Sequence, residues 1–445
     1  MEQMRVERLD HLGLIASVIK DLGLIDMIDR RLVPDEQERI TPGEAVAGMI
    51  LNGLGFANRP LSLTPQFFAN KPLDLLFRHG IDAEMFNRFK LGRTLDDASA
   101  YGCDLLFQEL ALAICAQDGI DLRFNHLDTT SFSLTGEYVP ESDEHAICIT
   151  HGYSKDHRPD LKQAVLELMV SQDGGVPFVS KSWDGNTSDT QVFQQRAEAT
   201  LKKAKQREDE AIQKQLFHLQ AQRFCAPEAA QDALAAVVKR WKYHSMASYH
   251  LTAHKRYAGK GRPTPSTPLK AIAWQIQVHV QADDKMLEQA KQTQACYVLG
   301  TNIDPSELHD TEVIAAYKGQ AHVEGGFRFL KDPLFFVSSL FVKKPNRLEG
   351  LLMVMTLALL VYSIAQRRLR MQLATHQETV PNQINQPTTS PTLRWVFQLL
   401  EGIHRVRMTL QGQVHDLIEG LHDVQIKILR LFGNEVCRLY QISTG

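Results

Sequence analysis

The chain has 445 residues, 44% of them hydrophobic, enough for at least two sizeable cores and hence for a multi-domain globular protein. Charged residues make up 23% and the formal net charge is −3, a balance that neither favours nor excludes a polyanionic partner, so local basic patches decide that question. The six cysteines (103, 115, 148, 225, 296 and 437) include no CxxC pair, which argues against a zinc knuckle or dithiol redox motif and suits a reducing cytoplasm. The N-terminal MEQMRVERLDH is too charged for a signal peptide. The longest apolar stretch, Leu351–Ala365, is shorter than the roughly 20 residues that span a bilayer, so it is predicted as a buried helix, with no membrane association.

Residues 1–115 are predicted to form a helical N-terminal domain with possible DNA binding. Thr41-Pro42-Gly43-Glu44 is a helix start: a capping Thr, Pro at the first helical position and Glu three residues after the cap. The apolar run Ala45–Leu54 follows it, and a second helical pattern runs from Leu95 to Ala116, with Arg93 and Thr94 just before it. From residue 116 to 195 the texture becomes β-like. Arg123–Leu134, Gln163–Val170 and Val176–Trp183 are predicted strands, and Asp173-Gly174-Gly175 is a hairpin signal between the last two. Three consecutive strands, the first carrying an Asp, are how a ribonuclease-H-like domain begins.

Residues 196–262 are predicted as a helical insertion, rich in Lys, Gln, Glu and Ala to about His244. The insertion ends in the basic loop Lys255–Pro263. Four cations and two glycines there suit phosphate contacts through Lys260 and Arg262; the plainer reading is a solvated linker. Strands at Ala273–Val280 and Ala295–Gly300 and a helix from Asp310 to Leu330 would complete the core over 263–370, followed by the apolar helix 348–368. His376–Pro391 is predicted as a linker. In the tail (371–445) Val414, Leu417, Ile418, Leu421, Val424, Ile428 and Leu431 keep helical spacing. The expected fold class is therefore α+β: a ribonuclease-H-like catalytic core with helical N-terminal, insertion and C-terminal parts.

Two patterns carry chemistry. In His126-Leu127-Asp128-Thr129-Thr130 an Asp stands in mid-strand, where burial is costly unless it is paired or binds a metal; alone it also reads as an edge-strand Asp facing water. Tyr317, Gln320, Glu324, Phe327 and Lys331 fall at offsets 0, 3, 7, 10 and 14, one face of a helix mixing aromatics with a carboxylate and an ammonium. His145 and His151 near Glu144 fit no standard metal set, Asp283-Asp284 reads as a turn, and Gly259-Lys260-Gly261 lacks the P-loop pattern.

Together these patterns resemble the bacterial insertion-sequence DDE transposases of the fourth (IS-four-like) family, whose signature is Tyr-x2-Arg-x3-Glu-x6-Lys. Tyr317, Glu324 and Lys331 match its spacing, and Gln320 stands where the family has Arg. Asp128 in Leu-Asp-Thr-Thr resembles the first catalytic Asp. Gly152–Asp160 and Gly185-Asn186-Thr187-Ser188-Asp189 are similar to stretches in a branch of that family, and the likeness covers most of residues 1–370. The resemblance implies metal-dependent DNA cleavage and strand transfer with two Mg2+ (or Mn2+) ions roughly 3.5–4 Å apart. It implies that Asp128 and Glu324 hold metal, that Lys331 contacts a phosphate of the transposon end, and that Tyr317, with Gln320 beside it, meets DNA near the cut. The implied partners are double-stranded DNA (terminal inverted repeats and target) and a second protomer. The family's second Asp ends a strand that has no counterpart here, because the third strand is followed almost at once by helix. An internal deletion would account for this, leaving a DNA-binding but non-catalytic protein or a decayed element. Alternatively Asp184 or Asp189 takes the place of the missing residue; Asp209 lies in a charged helical run.

Overall fold

The structure, a computed structural model, describes residues 3–57, 59–138, 146–153, 155, 158–258, 268–295, 321–332, 334–335, 343–410 and 413–443. The composition is mixed helix and strand, in keeping with α+β. The chain divides into two compact units, residues 1–187 with 305–445, and residues 188–304.

The larger unit begins with strand β1 (Gln3–Arg8) rather than a helix. Helices α1 (Leu12–Asp21), α2 (Leu24–Asp29), α3 (Pro42–Leu54), α4 (Thr64–Phe68) and α5 (Leu73–Leu76) follow. The start signal of α3 forms as expected: Thr41 Oγ1 accepts from Glu44 N (3.1 Å) and Glu44 Oε2 accepts from Thr41 N (2.9 Å). The single helix expected over Leu95–Ala116 is two, α6 (Arg88–Tyr101) and α7 (Cys103–Gln117), bent by 88° at Gly102, whose φ of +100° only glycine adopts readily. Arg93 and Thr94 lie inside α6, which Asn87 caps by accepting from the amides of Phe89 and Lys90.

Strands β2 (Asn125–Leu134), β3 (Lys162–Ser171) and β4 (Pro177–Trp183) form an antiparallel sheet in the order β2-β3-β4, with Gly174 and Gly175 at positive φ in the hairpin turn. Across this sheet and against the N-terminal helices runs the long core helix, Pro345–Thr375. It is long and apolar enough to cross a bilayer, but its apolar window is 89% buried inside the fold. Three arginines fasten it with paired hydrogen bonds: Arg347 to Asp96 on α6 (2.8 and 2.6 Å), Arg367 to Asp173 in the β3–β4 turn (2.8 and 2.7 Å), and Arg368 to Asp118 (2.9 and 2.6 Å).

The C-terminal part departs from expectation. His376–Pro391, read as a linker, contains a short ladder of β7 (Val380–Pro381) and β8 (Pro387–Thr388), with Val380 buried. Val414, Leu417 and Ile418, spaced as for a helix, lie on strand β10 (Gln413–Glu419), which pairs with β9 (His404–Leu410); β9 in turn pairs with β1. Helices Asp423–Arg430 and Asn434–Leu439 complete the tail. Strand wins in β10 because β9 supplies a ladder and ion pairs lock the register. Arg405 on β9 is buried and pairs with Glu7 on β1 and with Asp74 on α5, while Arg407 bridges Asp74 and Asp416 on β10. Burial opposes ionisation of Asp74, but hydrogen bonds from both arginines prevail and hold its carboxyl well below the usual range.

The smaller unit contains α8 (Asp189–Ala221), α9 (Pro227–Val238), a hairpin of β5 (His244–Tyr257) and β6 (Leu269–Ala282), and α10 (Asp284–Ala295). Ile212, Leu216, Leu219, Phe224, Leu234, Ile276 and Val278 form its core. This corrects two expectations. The strand at Ala273–Val280 pairs with β5 inside this unit instead of joining the sheet of Asp128, because the nearest strand in sequence satisfies its ladder. Lys255, Arg256 and Tyr257 belong to β5 rather than to a loop. Ala295 ends α10; the rest of the strand expected at Ala295–Gly300 lies outside the described residues, as do residues 310–320 of the expected helix.

Two outcomes follow. Arg405→Leu removes the buried partner of Glu7 and Asp74, leaving Glu7 with exposed Arg5 and Asp74 with Arg407, and should lower unfolding free energy by about 1–3 kcal/mol, read as a lower urea midpoint. His11 is buried, stacked on Phe397 at 4.0 Å, with Nε2 2.9 Å from Leu54 O, and burial lowers its pKa to about 4. The folded state keeps His11 neutral while the unfolded chain protonates it from about pH 6.5. The unfolded state therefore binds more protons, and stability should be lost as pH falls from about 6.5 towards 4. In His11→Gln, urea titrations should show a shallower loss across that window.

Candidate catalytic site

Antiparallel register decides which side chains share a face of the β2-β3-β4 sheet. Directly opposed residues point the same way, so His126 and Val170, Asp128 and Leu168, and Phe132 and Ala164 line one face, joined by Ser180 opposite Leu168. The core helix covers this face: Thr356 Oγ1 lies 3.1 Å from Ser180 Oγ. So does the Glu324 helix, Ala321–Leu330, whose Val323, Gly326, Phe327 and Leu330 are buried at helical spacing. Gly326 permits the close approach, since a Cβ there would sit 3.2 Å from both Leu168 Cδ2 and Leu359 Cδ2.

Two contacts fix the direction of the Glu324 helix along β2. At one end His322 lies against Gly175 in the β3–β4 turn and its charge opposes protonation of His126; burial is the larger cause of that histidine's lowered pKa. At the other end Lys331 Nζ lies 5.7 Å from the Phe132 ring centroid. Helix and strand therefore run the same way, and Asp128 and Glu324 fall between the two contacts, two residues on from His126 and His322. Glu324 is exposed and the Asp128 side chain is 29% exposed, so both carboxylates reach solvent on the same side of the sheet.

Sequence reasoning missed Lys155. Its Nζ donates to Thr129 O (2.6 Å) and Thr129 Oγ1 (3.0 Å) and stands 3.8 Å from Asp128 Oδ1. The signal available was its place in the Gly152–Asp160 stretch. Gly152 is held against the end of β4 by a glycine pair: a Cβ on Gly152 would run into Gly185 O, and one on Gly185 into the carbonyl oxygens of Gln163 and Thr150. Gln163 Nε2 donates to Gly185 O (2.7 Å) and Tyr153 O (3.2 Å), closing the junction.

The remaining expected site residues are dispersed. Asp184 is engaged structurally, its Oδ1 accepting from Cys148 N at 2.7 Å. Asp189 is the first residue of α8, in the smaller unit, behind the Ser188–Gln191 capping box; a helix N-terminus favours a negative charge there. Asp209 on α8 is 55% exposed. No strand separates β4 from α8. Tyr317, Gln320, Lys260 and Arg262 lie outside the described residues, as do Glu144 and His145. Among the described residues no group of three His, Cys, Asp or Glu side chains converges as a metal set.

Gly185→Ala should destabilise the larger unit by about 1–3 kcal/mol, seen as a lower urea midpoint, because the clash is with backbone. An unchanged midpoint would remove the glycine pair as the anchor of Lys155.

A family model described as a domain of unknown function (DUF4277) matches residues 4–112. The match spans most of β1 through most of α7, and β1 draws its ladder from β9, outside the matched segment. Among curated proteins none matches the chain.

Proposed function

We propose that this chain is a DNA-processing enzyme of the DDE transposase type, built on a ribonuclease-H-like core, acting on the terminal inverted repeats of its own element. The observation that carries the reading is that Asp128 on β2 and Glu324 on the helix packed along β2 both reach solvent, with Lys155 next to Asp128 and Lys331 at the Phe132 end of that helix. The three antiparallel strands with an Asp on the first, and the helix bearing Glu on their face, match the order the resemblance implies.

The donor set fits one hard divalent ion. Mg2+ is commonly held by one or two carboxylates, with waters and substrate phosphate completing the shell, and Asp128 and Glu324 are the residues that would hold it. When bound, such an ion supplies Lewis acidity at a phosphoryl oxygen. A second ion calls for a further carboxylate, and none joins these two among the described residues. The ammonium of Lys155 offsets the charge of Asp128 and is placed to bind a phosphate oxygen, and Lys331 adds a second cation on the Phe132 side.

A second reading has its own support. Because β4 passes straight into α8, the chain has no strand to carry a second Asp at that junction, and a DNA-binding form without cleavage follows naturally.

The deciding assay incubates the full chain with labelled duplexes carrying the element's terminal repeats, with Mg2+ or Mn2+. The enzyme reading expects metal-dependent release of a 3′-hydroxyl end. Asp128→Asn and Glu324→Gln should each reduce it at least about 100-fold while leaving duplex affinity near that of the parent. Binding without cleavage by the parent chain selects the non-catalytic form. Cleavage that persists in both variants sinks the assignment of Asp128 and Glu324.

A further inference from the structure

The β5–β6 hairpin has an unusual charge pattern. Each strand has fourteen residues, and neither contains an Asp or Glu. With 52 acidic residues in 445, a stretch of that combined length would ordinarily hold about three. The nearest acidic residues in sequence, Asp283 and Asp284, follow at the base of the hairpin. Towards the tip the ribbon carries Lys255, Arg256 and Lys270, all exposed.

The two faces of the ribbon differ. Register places Tyr249 with Val278, Leu251 with Ile276 and Ala253 with Trp274 on one face. That face packs on the unit's own helices: Ile276 and Val278 are in its core, and Tyr249 Oη accepts a hydrogen bond from Gln231 of α9 at 3.0 Å. The other face pairs Ser248 with His279, His250 with Gln277 and Arg256 with Ala271, with Thr252 between them. These six polar side chains are exposed and form a row of hydrogen-bonding groups without a carboxylate. Beyond Ala253 both faces are open, since Lys255, Arg256 and Tyr257 are exposed opposite Ile272, Ala271 and Leu269. The ribbon therefore extends past its supporting core, with a total length of roughly 45 Å at strand rise.

We propose that the β5–β6 ribbon is a duplex-DNA-reading arm, with the polar row facing base edges in a groove and the distal cations meeting the phosphates on either side. The major groove admits a two-stranded ribbon, and Gln, Thr and Arg are side chains suited to its edges. The absence of carboxylates removes the repulsion that a phosphate backbone would otherwise exert along the whole arm. The inference rests on the DNA-acting reading above but assigns recognition to a different part of the chain from the carboxylate site.

The test uses the full chain in the absence of divalent metal, so that binding is read apart from cleavage. Fluorescence anisotropy with a labelled mixed-sequence duplex over a KCl series gives the salt slope, and selection from a randomised duplex pool gives the preferred sequence. Lys255→Ala and Lys270→Ala combined should reduce the slope by about 1.8, one phosphate each. His250→Ala, Thr252→Ala and Gln277→Ala combined should weaken the selected sequence by about 5- to 150-fold per lost base contact, with the mixed-sequence affinity unchanged. Thermal melts followed by circular dichroism should match the parent for both, since every altered side chain is exposed. Parent-like slope and sequence preference in both variants would overturn the arm while leaving a DNA-acting enzyme in place. A changed particle mass with an unchanged slope would make the ribbon a self-association arm and overturn the proposal. Expected binding without metal-dependent cleavage would sink the catalytic reading and leave the arm standing. No duplex binding by the parent chain would overturn both.

Discussion

The core helix Pro345–Thr375 is the element on which the larger unit depends. Its apolar side chains are almost all buried, and it touches α1, α3, α6, α7, β4 and the Glu324 helix. Apolar burial is non-directional and cannot by itself set the rotation of so uniformly hydrophobic a helix. Direction comes from Arg347, Arg367 and Arg368, whose paired hydrogen bonds reach α6, the β3–β4 turn and Asp118. Each guanidinium has a planar fork that accepts one geometry, so the three together fix register along the axis. That register sets Thr356 against Ser180 and Leu359 against Gly326, and through them the seat of the Glu324 helix on the sheet.

A second constraint ties distant parts of the chain. The β1-β9-β10 sheet joins the first residues to residues 404–419, and buried Arg405 binds carboxylates from β1 and α5. Tyr440 adds a further tie, its hydroxyl donating to Asp10 O and accepting from Leu14 N. A buried ion pair is weak evidence of net stabilisation, but removal of either partner leaves a desolvated charge, so it enforces one arrangement. The segment matched by the domain family is thus completed by residues far outside it.

The candidate site follows from these constraints. Asp128 is placed by strand register and Glu324 by a helix whose approach depends on the missing side chain at Gly326. Lys155 is placed by backbone contact between Gly152 and Gly185. Glu324 is exposed, and the side chains of Asp128 and Lys155 are each about a third exposed.

The placement of Asp128 on a strand and of Glu324 on a helix was legible in the sequence because each sits in a short periodic pattern: alternation on a strand and a polar stripe on a helix. The three strands, the glycine hairpin and the capping box of α3 were legible for the same reason, since each is governed by neighbours within a few residues. The bend at Gly102, the strand identity of β10 and the partner of β6 were not, because each was decided by a longer-range contact or by a backbone angle that periodicity does not record. Val414, Leu417 and Ile418 satisfy helical spacing, yet β9 and its arginines made a strand of them. Lys155 illustrates the same limit: its residue type was plain, but only the glycine contact brought it to Asp128. The sequence by itself determined most of the local elements. The tertiary structure alone decided which strands pair and which helices cover the sheet, because those choices rest on packing and ion pairs between residues far apart in the chain.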